Sequence, residues 1–191
     1  MLFALVVIAA VFLAWLVAAY NGLIALRGQT ENALKQIDVQ LKRRHDLIPN
    51  LVQAVQGAMD FEKDTLAAVI SARNGAIMAA AGLDPQHVAA SAAAEQQLSG
   101  ALGKLMAVVE SYPDLKATAN VRQLQEELTS TENKVSFARQ GYNDTATSYN
   151  IKQQQFPTNL VANMAGAAIA ELWEIEDAAE RAVPKVEFRR N

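Results

Sequence analysis

The stretch Leu2-Phe3-Ala4-Leu5-Val6-Val7-Ile8-Ala9-Ala10-Val11-Phe12-Leu13-Ala14-Trp15-Leu16-Val17 decides how this chain is read. It holds neither a charge nor a helix breaker, and the charge-free run continues to Leu26. At about 1.5 Å per residue, a run of this length crosses a hydrocarbon core of roughly 30 Å. Trp15 and Tyr20 lie toward its exit end, where amphipathic rings favour the headgroup zone. Residues 1–26 are therefore expected to be a membrane anchor. Its lipid-facing side chains are Leu2, Phe3, Leu5, Val6, Val7, Ile8, Val11, Phe12, Leu13, Trp15, Leu16, Val17 and Tyr20.

Two other readings compete with a retained anchor. A signal peptide could leave after Val17-Ala18-Ala19, but such peptides open with a basic region and have a shorter apolar stretch. Here no Lys or Arg precedes Arg27. A buried core helix fits poorly with a fully uncharged terminal run. Arg27, Lys35, Lys42, Arg43 and Arg44 all lie after the span, so the positive-inside rule places the N-terminus outside and the body in the cytoplasm.

The rest of the 191-residue chain is long enough for one domain with a real core. It has no cysteine, which excludes disulfides, thiolate metal sites and a cysteine nucleophile. A formal charge of −3 gives no reason to expect nucleic acid as a partner. Alanine is abundant, glycine is sparse and no segment alternates with a period of two. That composition is all-helical.

Prolines divide the chain. Gly82-Leu83-Asp84-Pro85 reads as a helix end, an aspartate N-cap and a proline at the next helix's first position. Ser111-Tyr112-Pro113-Asp114 reads as a turn with Asp114 able to cap the next helix, and Pro157 and Pro184 close later segments. Pro49 differs. The stripe Leu34, Ile37, Leu41, Ile48 keeps its phase into Val52, Val55, Met59, Leu66 and Val69, which predicts a kinked helix, with a tight turn at Ile48 to Asn50 as the alternative. A kink makes one helix from the membrane to about Ala81, a rod on the order of 120 Å.

Val88, Leu98, Leu102, Leu105 and Val109 predict a shorter helix. Val121, Leu124, Leu128, Thr131, Val135, Ala138, Tyr142, Thr145, Tyr149, Lys152 and Phe156 then form a heptad stripe, expected to make a long coiled-coil-like helix. Arg44, Glu62, Arg73, Thr131 and Lys152 interrupt these seams, where polar residues commonly set register. Gly141 costs about 1 kcal/mol against alanine, and a close helix approach beside Tyr142 would explain it.

No catalytic constellation is visible. His45 and His87 fall in different helices, and the Glu-x-x-His pattern of di-iron bundles is absent. Glu31, Asp38 and His45 share a helix face but stand about 10 Å apart, too far to bind one metal, and read as a solvated face. No cofactor is expected. Lys42-Arg43-Arg44-His45 stands too far from the bilayer on a straight helix to bind lipid, and is expected to meet acidic residues of the bundle or of another copy. Gln153 to Ala170 carry no charge, whereas Glu171, Glu174, Glu176, Asp177 and Glu180 come directly after. Asn159 and Asn163 make that segment a poor span, leaving an interfacial or helix-packing role open.

The block Ile37-Asp38-Val39-Gln40-Leu41-Lys42-Arg43-Arg44-His45-Asp46-Leu47-Ile48-Pro49-Asn50-Leu51-Val52 closely resembles the signature of the LemA family. The family's pattern recurs at Ser111-Tyr112-Pro113-Asp114-Leu115-Lys116-Ala117, Leu124-Gln125-Glu126-Glu127-Leu128 and Thr131-Glu132-Asn133. It continues at Arg139, Tyr142-Asn143, Tyr149-Asn150, Phe156-Pro157 and Ala182-Val183-Pro184-Lys185-Val186-Glu187-Phe188. The resemblance implies a bacterial protein with one N-terminal span and an antiparallel helical domain, and brings no established activity, cofactor or substrate. Relatives in magnetotactic bacteria help form magnetosome membranes, which favours a structural role. One departure is that family members often carry Phe-Gly-Phe near the place held here by Met164-Ala165-Gly166-Ala167-Ala168.

The expected protein is thus all-α, a transmembrane helix continuing into a long antiparallel coiled-coil-like bundle over 27–183, with a tail at 184–191. No flexible linker separates Leu26 from the Leu34 stripe, and Gly28 is the weak point. A rigid anchor favours a self-assembling scaffold that organises the bacterial inner membrane, with the bilayer and further copies as partners. An adaptor tethering a membrane-associated protein is the alternative, and an enzyme is the third and weakest reading.

Overall fold

The computed structural model describes residues 1–57 and 62–174. Met59, Glu176, Asp177, Glu180, the closing motif 182–188 and the tail 184–191 lie outside the described residues. Within them the protein is helical and has no strand. Helix α1 runs Leu2–Gln56, α2 Lys63–Ala80, α3 Ala89–Val109, α4 Pro113–Lys116, α5 Ala119–Gln154 and α6 Thr158–Met164.

Helix α1 is 55 residues long, about 80 Å, and passes through Pro49 without ending there. Proline has no N–H, so the carbonyl four residues back, that of His45, loses its helical donor. Arg73 of α2 supplies the replacement, with Nε 2.7 Å from the His45 oxygen. The helix therefore continues because another helix satisfies the group that proline frees.

That contact also overturns the single rod to Ala81. Helix α1 stops at Gln56, and α2 runs back along it, with Arg73 beside His45 and Ala80 and Ala81 in one cleft with Leu34, Lys35 and Asp38. Periodicity misleads here for a physical reason. Val55 and Leu66 are both buried in one core, and a stripe that faces a core looks the same whether the chain runs straight or doubles back.

Helix α5 packs most extensively on α1, and α2 on α3. The early stripe of α5 is as expected, with Val121, Leu128, Thr131, Val135 and Tyr142 buried. Beyond Tyr142, Tyr149 is buried as expected, but Ala146 and Gln153 take the buried places expected of Thr145 and Lys152, and Phe156 is 81 % exposed. A straight helix drifts about 20° per heptad, so a seven-residue repeat slips off a fixed face over this length. Two helix starts also differ from expectation. Asp84 accepts the Gln86 N–H in a turn, and α3 begins later, at Ala89. Thr118 precedes α5, while Pro113 opens α4 with Asp114 in its first turn.

The core has two parts. A membrane-side cluster joins Ala19, Leu23, Leu34, Ile37 and Leu41 of α1 to Ala92, Val135, Tyr142, Ala146 and Trp173. A distal cluster joins Ile48, Leu51 and Val55 to Leu66, Val69, Leu98, Leu105 and Leu128. Up to Leu13 the large apolar side chains of α1 are exposed, whereas Trp15 and Leu16 are half-buried.

The Pro49–Arg73 relation is testable by a double-mutant cycle in the detergent-solubilised chain. Arg73→Leu leaves the His45 carbonyl unpaired and is expected to lose about 1–3 kcal/mol in a denaturant titration. In a Pro49→Ala background the loss should shrink, because alanine restores the helical N–H at that position. Equal losses in both backgrounds would disprove the substitution of one donor for the other.

Candidate functional site

Between the two apolar clusters lies a charged layer, one turn deep on each helix. On α1 it is Arg44 and His45, between Leu41 and Ile48; on α3 it is Glu95, between Ala92 and Leu98. On α5 it is Thr131 and Glu132, between Leu128 and Val135. Glu95 sits at the centre. Its Oε2 is 3.3 Å from Arg44 Nη1 and its Oε1 is 2.6 Å from His45 Nε2. Arg44 Nη2 donates to Ser99 Oγ at 2.8 Å and lies 2.9 Å from Glu132 Oε2. Arg139 Nη2 closes the chain 3.6 Å from Glu132 Oε1. Burial holds the Arg139 guanidinium below its ordinary basicity, a shift that the neighbouring Glu132 opposes.

His45 is therefore a buried member of the layer and does not belong to a solvated face with Glu31 and Asp38. The side chains of Arg44 and Glu95 are each only 4 % exposed, so the carboxylate is consumed by internal partners and out of reach of a substrate. Such a layer fixes which helices pair and in what register, because a slip of one turn strands a charge in apolar surroundings. Of the other seam-polar residues, Arg73 bonds across helices, while Thr131 bonds back to Glu127 in its own helix.

The second constellation explains the paired Tyr-Asn motifs. Asn143 and Asn150, seven apart on α5, each use their amide as a peptide surrogate. Asn150 accepts the Ala170 N–H at 2.9 Å and donates to the Ala170 carbonyl at 2.7 Å. Asn143 does the same for Trp173, at 2.8 and 3.1 Å. Tyr142 donates its hydroxyl to the Glu171 carbonyl at 2.7 Å, and burial pushes that phenol far above its usual pKa. Residues 167–174 are thereby strapped along α5, with Ala170 and Trp173 buried. Glu171 then reaches the start of α3, where its Oε2 accepts the Val88 and Ala89 N–H groups at 3.1 and 3.3 Å. A carboxylate at a helix N-terminus satisfies orphan donors and matches the helix dipole. The local pattern assigns that task to Asp84, which instead pairs with His87 Nδ1 at 2.9 Å; this hydrogen bond raises the His87 pKa and lowers that of Asp84. Glu171 carries no local signal, since its partners lie more than eighty positions away.

The remaining motif residues are not brought together. Asp38, Lys42, Arg43, Asp46, Pro49 and Asn50 are exposed on α1, Gln40 and Tyr112 are half-buried, Leu41 and Tyr149 are core, Pro113 and Phe156 are exposed, and Pro157 is half-buried. Gln40 helps line an open groove of about 940 Å³ between α1 and α5, beside Phe137, which is 80 % exposed. Among the described residues no group of three or more His, Asp or Glu is placed to hold a metal ion.

Among the described residues, one helix long and apolar enough to cross a membrane continues into a helical bundle with an inward-facing ion layer, which is the architecture of a single-span membrane protein. The chain belongs to the LemA family, whose model matches residues 33–188. It is 28 % identical over 159 residues to Protein LemA of Metamycoplasma hominis, covering 82 % of this chain and 70 % of that one. It is 25 % identical over 189 residues to Magnetosome protein MamQ 2 of Paramagnetospirillum magneticum, covering 88 % and 70 %. Magnetosome protein MamQ of Magnetospirillum gryphiswaldense is 22 % identical over 175 residues, covering 81 % and 64 %.

Removing Glu95 leaves two buried partners without their acceptor. Glu95→Ala is expected to destabilise the bundle by about 3–5 kcal/mol, and Arg44→Ala/Glu95→Ala by less than the sum of the single changes, in denaturant titrations. The strap responds separately. Asn150→Ala should accelerate amide exchange at Ala170 and at the Val88 and Ala89 N–H groups, while amides in the middle of α5 stay protected; unchanged exchange at Ala170 would show that the strap is held otherwise.

Proposed function

We propose that this protein is a non-enzymatic membrane scaffold in which residues 1–26 span the bacterial inner membrane and residues 27–183 form a rigid cytoplasmic body that self-assembles. The observation that carries this reading is the continuity of α1, which passes through Gly28 without a break from the apolar span into the charged layer. From Leu26 to Arg44 the helix rises about 27 Å. The body's orientation is consequently transmitted to the bilayer, and copies whose bodies touch constrain their spans. The basic flank of Arg27, Lys35, Lys42 and Arg43 favours the body in the cytoplasm.

The contact face we assign to a second copy is the exposed stripe Asp38, Lys42, Asp46 and Asn50 on α1, with Arg43 beside it. Its four-residue spacing puts alternating charges on one helix face, where in two parallel copies each Asp can reach the Lys one turn along on its partner. The likeness to proteins named as magnetosome proteins supports a role at a shaped membrane.

Light scattering of the detergent-extracted full-length chain at micromolar concentration tests this. The expected species is larger than a monomer, and Lys42→Glu/Arg43→Glu should shift it to smaller size with helicity unchanged. A stable monomer overturns self-assembly and leaves an adaptor that holds a different protein as the better reading.

A further inference from the structure

Helix α6 stands at a height where a water-soluble body has no reason to be. Its buried residues Val161 and Ala162 belong to the same cluster as Ala19 and Leu23 of α1, with Trp15 and Leu16 packed against it. Ala19 and Leu23 precede Arg27, the first charged side chain, by eight and four residues, which puts them about 12 and 6 Å on its membrane side. A span needs about 20 residues, and every such window within Leu2–Leu26 contains Trp15 and Ala19. If α1 crosses the bilayer, α6 is carried down beside it to the depth of the headgroups and upper acyl chains.

The outward face of α6 matches that depth. Thr158, Val161 and Ala162 turn inward, while Leu160 and Met164, one helical turn apart, are 61 % and 77 % exposed. Phe156, at the foot of α5, is 81 % exposed. No charged residue lies between Lys152 and Glu171, so nothing in this stretch resists transfer into the interface. Asn159 and Asn163 supply polarity suited to headgroups rather than to the bilayer centre.

We infer that Phe156, Leu160 and Met164 form a second membrane contact, in which α6 lies in the lipid interface alongside the exit of the span. Helix α6 packs directly on α1, whose exposed apolar side chains the bilayer covers, which is why lipid is the occupant and not a separate protein. The inference rests on α1 being a span and adds a restraint that one helix cannot provide. A lone span can tilt and rotate about its axis, whereas a span with an interfacial wedge fixed to one side has a set rotation. The wedge also occupies one leaflet only, so an array of such copies adds apolar volume to one side of the bilayer.

The absence of cysteine allows single labelling sites in the full chain. Ile8→Cys, Leu160→Cys, Met164→Cys and Phe137→Cys variants, each labelled with a nitrobenzoxadiazole fluorophore, would be reconstituted in phosphatidylcholine/phosphatidylglycerol vesicles containing lipids with shallow or deep doxyl quenchers. All four side chains are exposed, and circular dichroism checks that helicity is kept. Labels at 160 and 164 are expected to lose about twofold or more additional fluorescence to the shallow quencher than the label at 137, as for an interfacial helix. The label at 8 should respond most to the deep one. If the label at 8 is quenched but those at 160 and 164 behave like that at 137, the second contact is refuted and the span stands. If none is quenched, the span reading falls and this inference falls with it.

Discussion

Glu95 pairs with two side chains of one neighbouring helix, Arg44 and His45, and Arg44 in turn holds Glu132 on α5. Two helices thus meet at one carboxylate that solvent does not reach, and Arg44 extends the link to a third. The two apolar clusters above and below could by themselves tolerate sliding, since Leu, Val and Ala contacts are nearly interchangeable along a helix. The ion layer is not interchangeable, because displacement by a turn buries an unpaired charge. Everything else in the body takes its height from that layer.

Pro49 and Arg73 belong to the same arrangement. The proline removes the one helical donor of the His45 carbonyl, and the residue that replaces it comes from α2. The residue whose imidazole meets α3 therefore has its backbone oxygen held by α2. A motif that looks like a helix break is a docking point. The strap repeats this logic at the other end of α5, where Asn143 and Asn150 treat an extended segment as an adjoining strand and deliver Glu171 to the start of α3. Arg44, Arg139, Tyr142, Asn143 and Asn150 of this family motif bind the chain to itself.

What such a body offers a membrane is stiffness. Helix α1 has no compliant element between its lipid-exposed portion and the layer at Arg44, and α5 and α6 brace it from one side. The bracing begins within the uncharged run, at Trp15, so the division between anchor and body is a gradual handover along one helix.

Much of this was legible in the residues. The uncharged run and the apolar stripes determined a single-span all-α protein, because length and periodicity are local properties that a linear chain displays directly. The stripe also identified Ile37, Leu41, Ile48 and Val55 as core. Other features depend on which segments meet. Whether the chain turned back after Gln56, that His45 points inward, that Glu171 and not Asp84 caps α3, and that the seam moves to Ala146 and Gln153 are decided by contacts between distant residues. A carboxylate's role is set by the donor it reaches, and only tertiary structure brings positions 44, 95 and 132 within hydrogen-bonding distance.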